Sequence, residues 1–143
     1  MKTFNHKKSL LKTKMSAKAL TFGSWLTIPH LSIVEILASA GFDWLVLDLE
    51  HSAIDYQKTQ EMMAHIQAHG MQGLVRVSSN DPVVIKRSMD IGADGVIIPM
   101  VLNHKEAQKA VDAVRYPPLG NRGVGLSRAQ HYGIGFDLSL IHI

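Results

Sequence analysis

Two rhythms of apolar residues alternate along this chain. Four short compact runs, at 22–28, 44–49, 73–77 and 94–99, are bounded by glycine, proline or acids and read as strands. Between and after them lie longer stretches with helical periodicity, over 33–40, 55–69, 82–91 and 105–115. Each begins with a residue whose side chain can cap a helix. Ser32 with Glu35 spells a capping box, Asp55 and Asn103 are capping residues, and Asp81 precedes Pro82 in a first turn, where proline is tolerated. Gly41, Gly70 and Gly92 close three of the four. A fifth helix is expected over 6–19, with Leu10, Leu11, Met15 and Leu20 on one side and lysines on the other. After Tyr116 the pattern reads as loop.

The order is therefore one helix, then strand and helix four times over. Such alternation implies parallel βαβ units. Val96, Ile97 and Ile98 make the fourth strand apolar on both faces, as buried parallel strands are. Four units in this length match the pace of an eight-fold βα barrel, and four units are half of one. The fold class expected is thus α/β, the N-terminal half of a TIM (β/α)8 barrel, with 1–20 as a basic amphipathic helix and 21–143 as the partial barrel. An open doubly wound sheet is the rival, but no Gly-x-Gly-x-x-Gly fingerprint follows any strand. Half a barrel leaves two open strand edges and an uncovered apolar face. The chain accordingly reads as a fragment of a longer reading frame, and 137–143 as a segment that stops abruptly.

Charge changes the picture in one respect. The formal net charge is +3, yet six of the 15 basic residues are lysines within the first 18 positions, and no acid precedes Glu35. The remainder holds nine basic against twelve acidic residues. The basic character belongs to a terminus, and no arginines interleaved with aromatics suggest nucleic acid. Cysteine is absent, which excludes disulfides and thiolate metal sites and fits a cytoplasmic setting. No apolar stretch approaches a membrane span, and the lysine-rich start lacks the apolar segment of a secretory signal.

In a parallel barrel, chemistry sits at the C-terminal ends of the strands. The second expected strand ends in Asp48, Glu50 and His51, and the third carries Arg76 within Leu74-Val75-Arg76-Val77. His51 beside acids suits a general acid/base. A buried arginine demands a partner because its charge cannot be neutralised. Arg76 therefore reads either as an ion pair with Asp48 or Glu50, or as a clamp on a carbonyl or enolate oxygen. Asp48 and Glu50 share a face if the strand continues through both, and together they could offer a divalent cation one or two oxygens. His30 follows the first strand. Trp25 and Trp44 fit a core or a stacking surface, and Lys86 and Arg87 fit a solvated helix face. Arg115 and Arg122 bracket Pro117, Pro118 and Gly120, either as a rigid turn at a helix end or as a contact for a subunit or an anion.

Several motifs in one register resemble a known family. Gly23-Ser24-Trp25, Ala40 to Leu47 leading into Asp48-x-Glu50-His51, Val75-Arg76-Val77, Ile85-Lys86-Arg87, Asp90-Ile91-Gly92-Ala93, Pro99-Met100 and Arg115-Tyr116-Pro117-Pro118 to Arg122-Gly123 are similar to the class II pyruvate aldolases of the HpcH/HpaI family. Its members include 4-hydroxy-2-oxoheptanedioate and 2-keto-3-deoxy sugar acid aldolases. The resemblance implies a barrel assembled as a hexamer. It implies a carbon–carbon lyase that reversibly cleaves a 4-hydroxy-2-oxo acid to pyruvate and an aldehyde, with Mg, Mn or Co. By the same resemblance His51 is the acid/base, Asp48 its carboxylate partner, Arg76 the holder of pyruvate and its enolate, and Trp25 a substrate contact. Glu50 reaches the metal through water only. The direct ligands, a glutamate and an aspartate, are implied for the second half of the barrel, so the fragment alone is expected to lack metal and catalysis. Two other readings stay open: a citrate lyase β-like enzyme acting on a CoA thioester, and a non-catalytic half-barrel assembly module.

Overall fold

The computed structural model describes residues 10–134. The expectations for the first nine residues and for the terminal segment lie outside that range. Helix α1 (Leu10–Ser16) leads into four βα units: β1 (Gly23–Leu26), α2 (Leu31–Ser39), β2 (Trp44–Asp48), α3 (Tyr56–Ala68), β3 (Gln72–Arg76), α4 (Pro82–Asp90), β4 (Gly95–Ile97) and α5 (His104–Val114). All three strand pairings are parallel, and the sheet order is β1-β2-β3-β4. That order, with a helix after each strand, is the progression of a βα barrel.

Strand alternation sorts the sheet into two faces. Leu26, Leu45, Leu47 and Val75 point outward into a core shared with Val34, Met62, Met63, Ile66, Ile85 and Ala113. Trp25, Val46 and Leu74 lie level with one another on the inner face, and one pleat further on Asp48 lies level with Arg76. Register alone therefore sets an acid and a guanidinium side by side at the strands' C-terminal ends.

Three of the expected caps hold. Asp55 accepts from Lys58 N–H, Asp81 from Val83 and Val84 N–H, and Asn103 from Lys105 and Glu106 N–H. Helix α2 differs. It begins two residues earlier than the pattern indicates, and its cap is His30, whose Nδ1 accepts the Ser32 N–H at 3.2 Å. Ser32 is inside the first turn, and Glu35 turns to His65 Nε2 at 3.1 Å instead of closing a capping box. Both histidine and serine carry an acceptor near the backbone, and the spacing of residues does not say which is used.

Helix α1 packs beneath the sheet. Leu11 is buried, its N–H donates to Gln72 Oε1 at 3.0 Å, and Lys14 pairs with Asp43. Asp43 also accepts the Phe22 N–H, so one carboxylate ties α1, the entry to β1 and the entry to β2 together. The Lys14 ammonium is the main reason the Asp43 carboxyl lies below its usual range. Arg87 is exposed, and its guanidinium lies 3.9 Å from the centre of the Tyr56 ring, across from α4 to α3.

The stretch after α5 is more ordered than its loop-like sequence indicates. It folds back on the helix end: Asn121 N–H donates to Asp112 O at 2.8 Å and Arg122 N–H to Arg115 O at 2.9 Å, satisfying carbonyls a helix terminus leaves open. A kinked 3-10 segment follows at Arg128–Gly133. A Cβ on Gly120 would overlap those same carbonyls of Asp112 and Arg115. Gly120→Ala should therefore destabilise the chain by about 1–3 kcal/mol, the usual cost of forced overpacking, read as a lower urea midpoint at unchanged slope.

Candidate active site at the strand ends

Asp48 is the last residue of β2 and its side chain is 2% exposed. A buried carboxylate must be fully bonded, and this one is. Arg76, the last residue of β3, donates Nε to Oδ1 at 2.9 Å and Nη2 to Oδ2 at 2.6 Å, a bidentate fork. The backbone N–H groups of Glu50 and His51 also donate to Oδ1, at 3.0 and 3.1 Å. The arginine fork, more than any other contact, pulls the Asp48 carboxyl down to about 2, and Asp48 in turn raises Arg76.

The family resemblance makes Asp48 the carboxylate partner of His51; in the structure the His51 backbone N–H, and not its ring, meets Asp48. The strand ends at Asp48, and the chain then turns around the carboxylate in an aspartate-centred turn. The imidazole is carried outward, 67% exposed, with Nε2 3.6 Å from Glu50 Oε2. Glu50 lies between the two functional groups, because its Oε2 is also 3.4 Å from Arg76 Nε. Glu50 is thus the carboxylate beside the ring, as its adjacency in the sequence allows.

Trp25, one residue before the end of β1, is 46% exposed, and Arg76 Cζ lies 4.5 Å from its ring centre. The guanidinium is thus fixed on two sides, by the Asp48 carboxylate in its plane and by the indole face above it. Of its five N–H donors two engage Asp48, which leaves the others for a ligand at a side chain that is 24% exposed. Trp44 is half-buried, its Nε1 donating to Thr21 Oγ1 at 3.4 Å.

Other candidates stand elsewhere. His30 is a helix cap. Arg122 is buried, donates to Asp90 Oδ1 at 2.6 Å and lies over Tyr116, at the far end of α4 from the strand ends. Ser52 is a site residue that sequence reasoning passed over. Its hydroxyl donates to Asp48 O and accepts the Ile54 N–H at 3.2 Å, which fixes the turn carrying His51. A serine just past a turn of acids was the available signal.

Tested against the chemistry of a divalent cation, this donor set is incomplete. Asp48 is committed to Arg76, and no group of three or more His, Asp or Glu among the described residues could hold a metal ion. Glu50 is the carboxylate at the strand ends with an oxygen still open to water or an ion. No helix among the described residues is long and apolar enough to cross a membrane.

Four parallel βα units with an acid, an imidazole and a guanidinium at their C-terminal ends define a barrel-type α/β domain with a polar mouth. Residues 21–134 match the family model described as HpcH/HpaI aldolase/citrate lyase, and the chain belongs to that family. It is 42% identical over 120 residues to the 2-dehydro-3,6-dideoxy-6-sulfogluconate aldolase of Pseudomonas putida, covering 83% of this chain and 47% of that protein. It is 43% identical over 127 residues to the 4-hydroxy-2-oxo-heptane-1,7-dioate aldolase of Salmonella dublin, covering 87% and 48%. Among solved structures, the HpcH/HpaI aldolase from Desulfitobacterium hafniense superposes with a TM-score of 0.77 at 33% identity over 87% of this chain and 48% of that one. A family member from Burkholderia cenocepacia gives 0.86 at 31% identity, over 93% and 55%. The chain spans about half the length of the curated relatives it matches.

Proposed function

We propose that this chain carries the pyruvate-binding and proton-transfer part of a pyruvate aldolase, a carbon–carbon lyase that reversibly cleaves a 4-hydroxy-2-oxo acid to pyruvate and an aldehyde. The supporting observation is the Asp48–Arg76 fork, held under the Trp25 indole with guanidinium donors to spare, beside an exposed imidazole. The names of the relatives, a sulfogluconate aldolase and a heptanedioate aldolase, agree with it.

In the cleavage direction a base takes the proton from the 4-hydroxyl. The C3–C4 bond breaks, the aldehyde leaves, and the electron pair becomes the enolate of pyruvate; a proton delivered to C3 completes the product. His51 is the group free to accept and return that proton, with Glu50 beside its ring. The unspent N–H groups of Arg76 hold the 2-oxo oxygen and its developing charge, and Asp48 fixes their direction. Trp25 covers the guanidinium and borders the methyl side of the substrate. A divalent ion such as Mg, Mn or Co would supply Lewis acidity to this site; its direct ligands would come from the second half of the barrel, with Glu50 reaching it only through water. Assembly of several subunits belongs to the same reading.

The test is pyruvate in heavy water, with a divalent metal salt and a protein of the relatives' length that carries this chain. Loss of the methyl proton signal without any aldehyde present is the expected result, because enolate formation needs no second substrate. Methyl protons that persist while a CoA thioester is bound would remove the aldolase reading.

A further inference from the structure

A second feature opens from the same mouth. A groove of about 350 Å³ runs from Glu50 to Lys109, between the loop after β3 and the loop after β4. Small-molecule sites begin at about this size, which suits a fragment of a few carbons. Its walls are held in place. Asn80 Nδ2 donates to Glu106 O at 2.9 Å, which pins the first loop to α5. Leu102 N–H donates to Glu106 Oε2 at 2.7 Å, which pins the second loop to the same turn. One oxygen of the Glu106 carboxylate is thereby engaged, and Glu50 faces Arg76 and His51. At the other end, Lys109 is exposed and forms no ion pair with any described residue. Ser78 and Ser79 line the interval with exposed hydroxyls.

We propose that this groove seats the aldehyde, and that Lys109 selects aldehydes whose far end is anionic, as a carboxylate, phosphate or sulfonate. The inference rests on the pyruvate reading for its orientation: with the 2-oxo oxygen on Arg76, the reacting carbon comes beside Glu50 and His51 and the tail runs toward Lys109. Ser78 and Ser79 bond hydroxyl groups along the way. Lys109 touches only the tail, so it determines specificity and takes no part in proton transfer.

The test uses the 143-residue chain labelled with nitrogen-15, glycerate as the hydroxylated anionic probe and glycerol as its neutral counterpart. Glycerate should shift the backbone amides of Ser78, Ser79 and Lys109 saturably, and glycerol should not. Lys109→Gln should weaken glycerate about tenfold, the loss of one exposed charge-assisted contact, and Lys109→Arg should restore it. Equal response to glycerol, unchanged affinity in Lys109→Gln, or no shift at these amides would overturn the proposal. Pyruvate, titrated separately, reports at Arg76 and Trp25. Glycerate bound at Lys109 with pyruvate failing at Arg76 would support the groove and remove the pyruvate reading.

Discussion

Arg76→Ala should slow exchange of the pyruvate methyl protons in a protein of the relatives' length by about 10²–10³-fold, the effect of losing an oxyanion donor. The guanidinium is aimed before any ligand arrives: Asp48 grips one edge in two hydrogen bonds and Trp25 lies 4.5 Å away over its face. Donors that need no reorganisation stabilise a developing charge best. Arg76→Lys separates charge from geometry. A lysine keeps the cation but cannot grip Asp48 and a substrate oxygen in one plane, so it should recover only a small part of the loss. Unchanged exchange in Arg76→Ala would remove this residue from the chemistry, provided the variant's circular dichroism matches the parent.

Asp48→Ala should cost the fold about 3–5 kcal/mol, because it leaves a half-buried arginine and two backbone N–H groups without their acceptor. Urea unfolding at pH 7 measures it. The acid also imprints a pH dependence. Its carboxyl is held down to about 2, against 3.8 for the free group, chiefly by the Arg76 hydrogen bonds. A depressed carboxyl contributes stability above its unfolded value and loses it as the pH falls through its folded one. The parent should therefore lose about 2 kcal/mol from this group between pH 4 and pH 2. Asp48→Asn should be less stable at pH 7 and should show a flatter dependence across that window. A variant with the parent's full acid slope would place the titration on another carboxyl.

Much of this architecture is legible in the sequence, for reasons that can be named. The strand–helix alternation survives because buried parallel strands and amphipathic helices leave different periodicities, and Asp55, Asp81 and Asn103 cap the helices they precede. Strand ends are less legible. Ile28, read as strand, is exposed beyond β1, and β4 is limited to Gly95–Ile97, since pairing and not hydrophobicity sets where a strand stops. The cap of α2 passes to His30 because two adjacent acceptors compete, and the order beyond Tyr116 comes from distant carbonyls that no local pattern encodes. In the site, the convergence of Trp25, Asp48, Glu50, His51 and Arg76 follows from counting strand ends. Their pairing does not. Whether Arg76 meets Asp48 or Glu50 depends on a register between strands 28 residues apart, and the turn that separates His51 from the Asp48 carboxylate depends on where β2 ends.

The most direct measurement is a pyruvate titration of the chain, followed at the Arg76 side-chain Nε–H and the Trp25 indole N–H by nitrogen-15 NMR. The account predicts that both signals move together and saturate in the parent, and that the Trp25 indole response, the reporter common to all three proteins, vanishes in Arg76→Ala and weakens in Arg76→Lys. Signals that stay still at Arg76 and Trp25, or that respond equally to acetate, would contradict the claim that this fork is built to hold a 2-oxo acid.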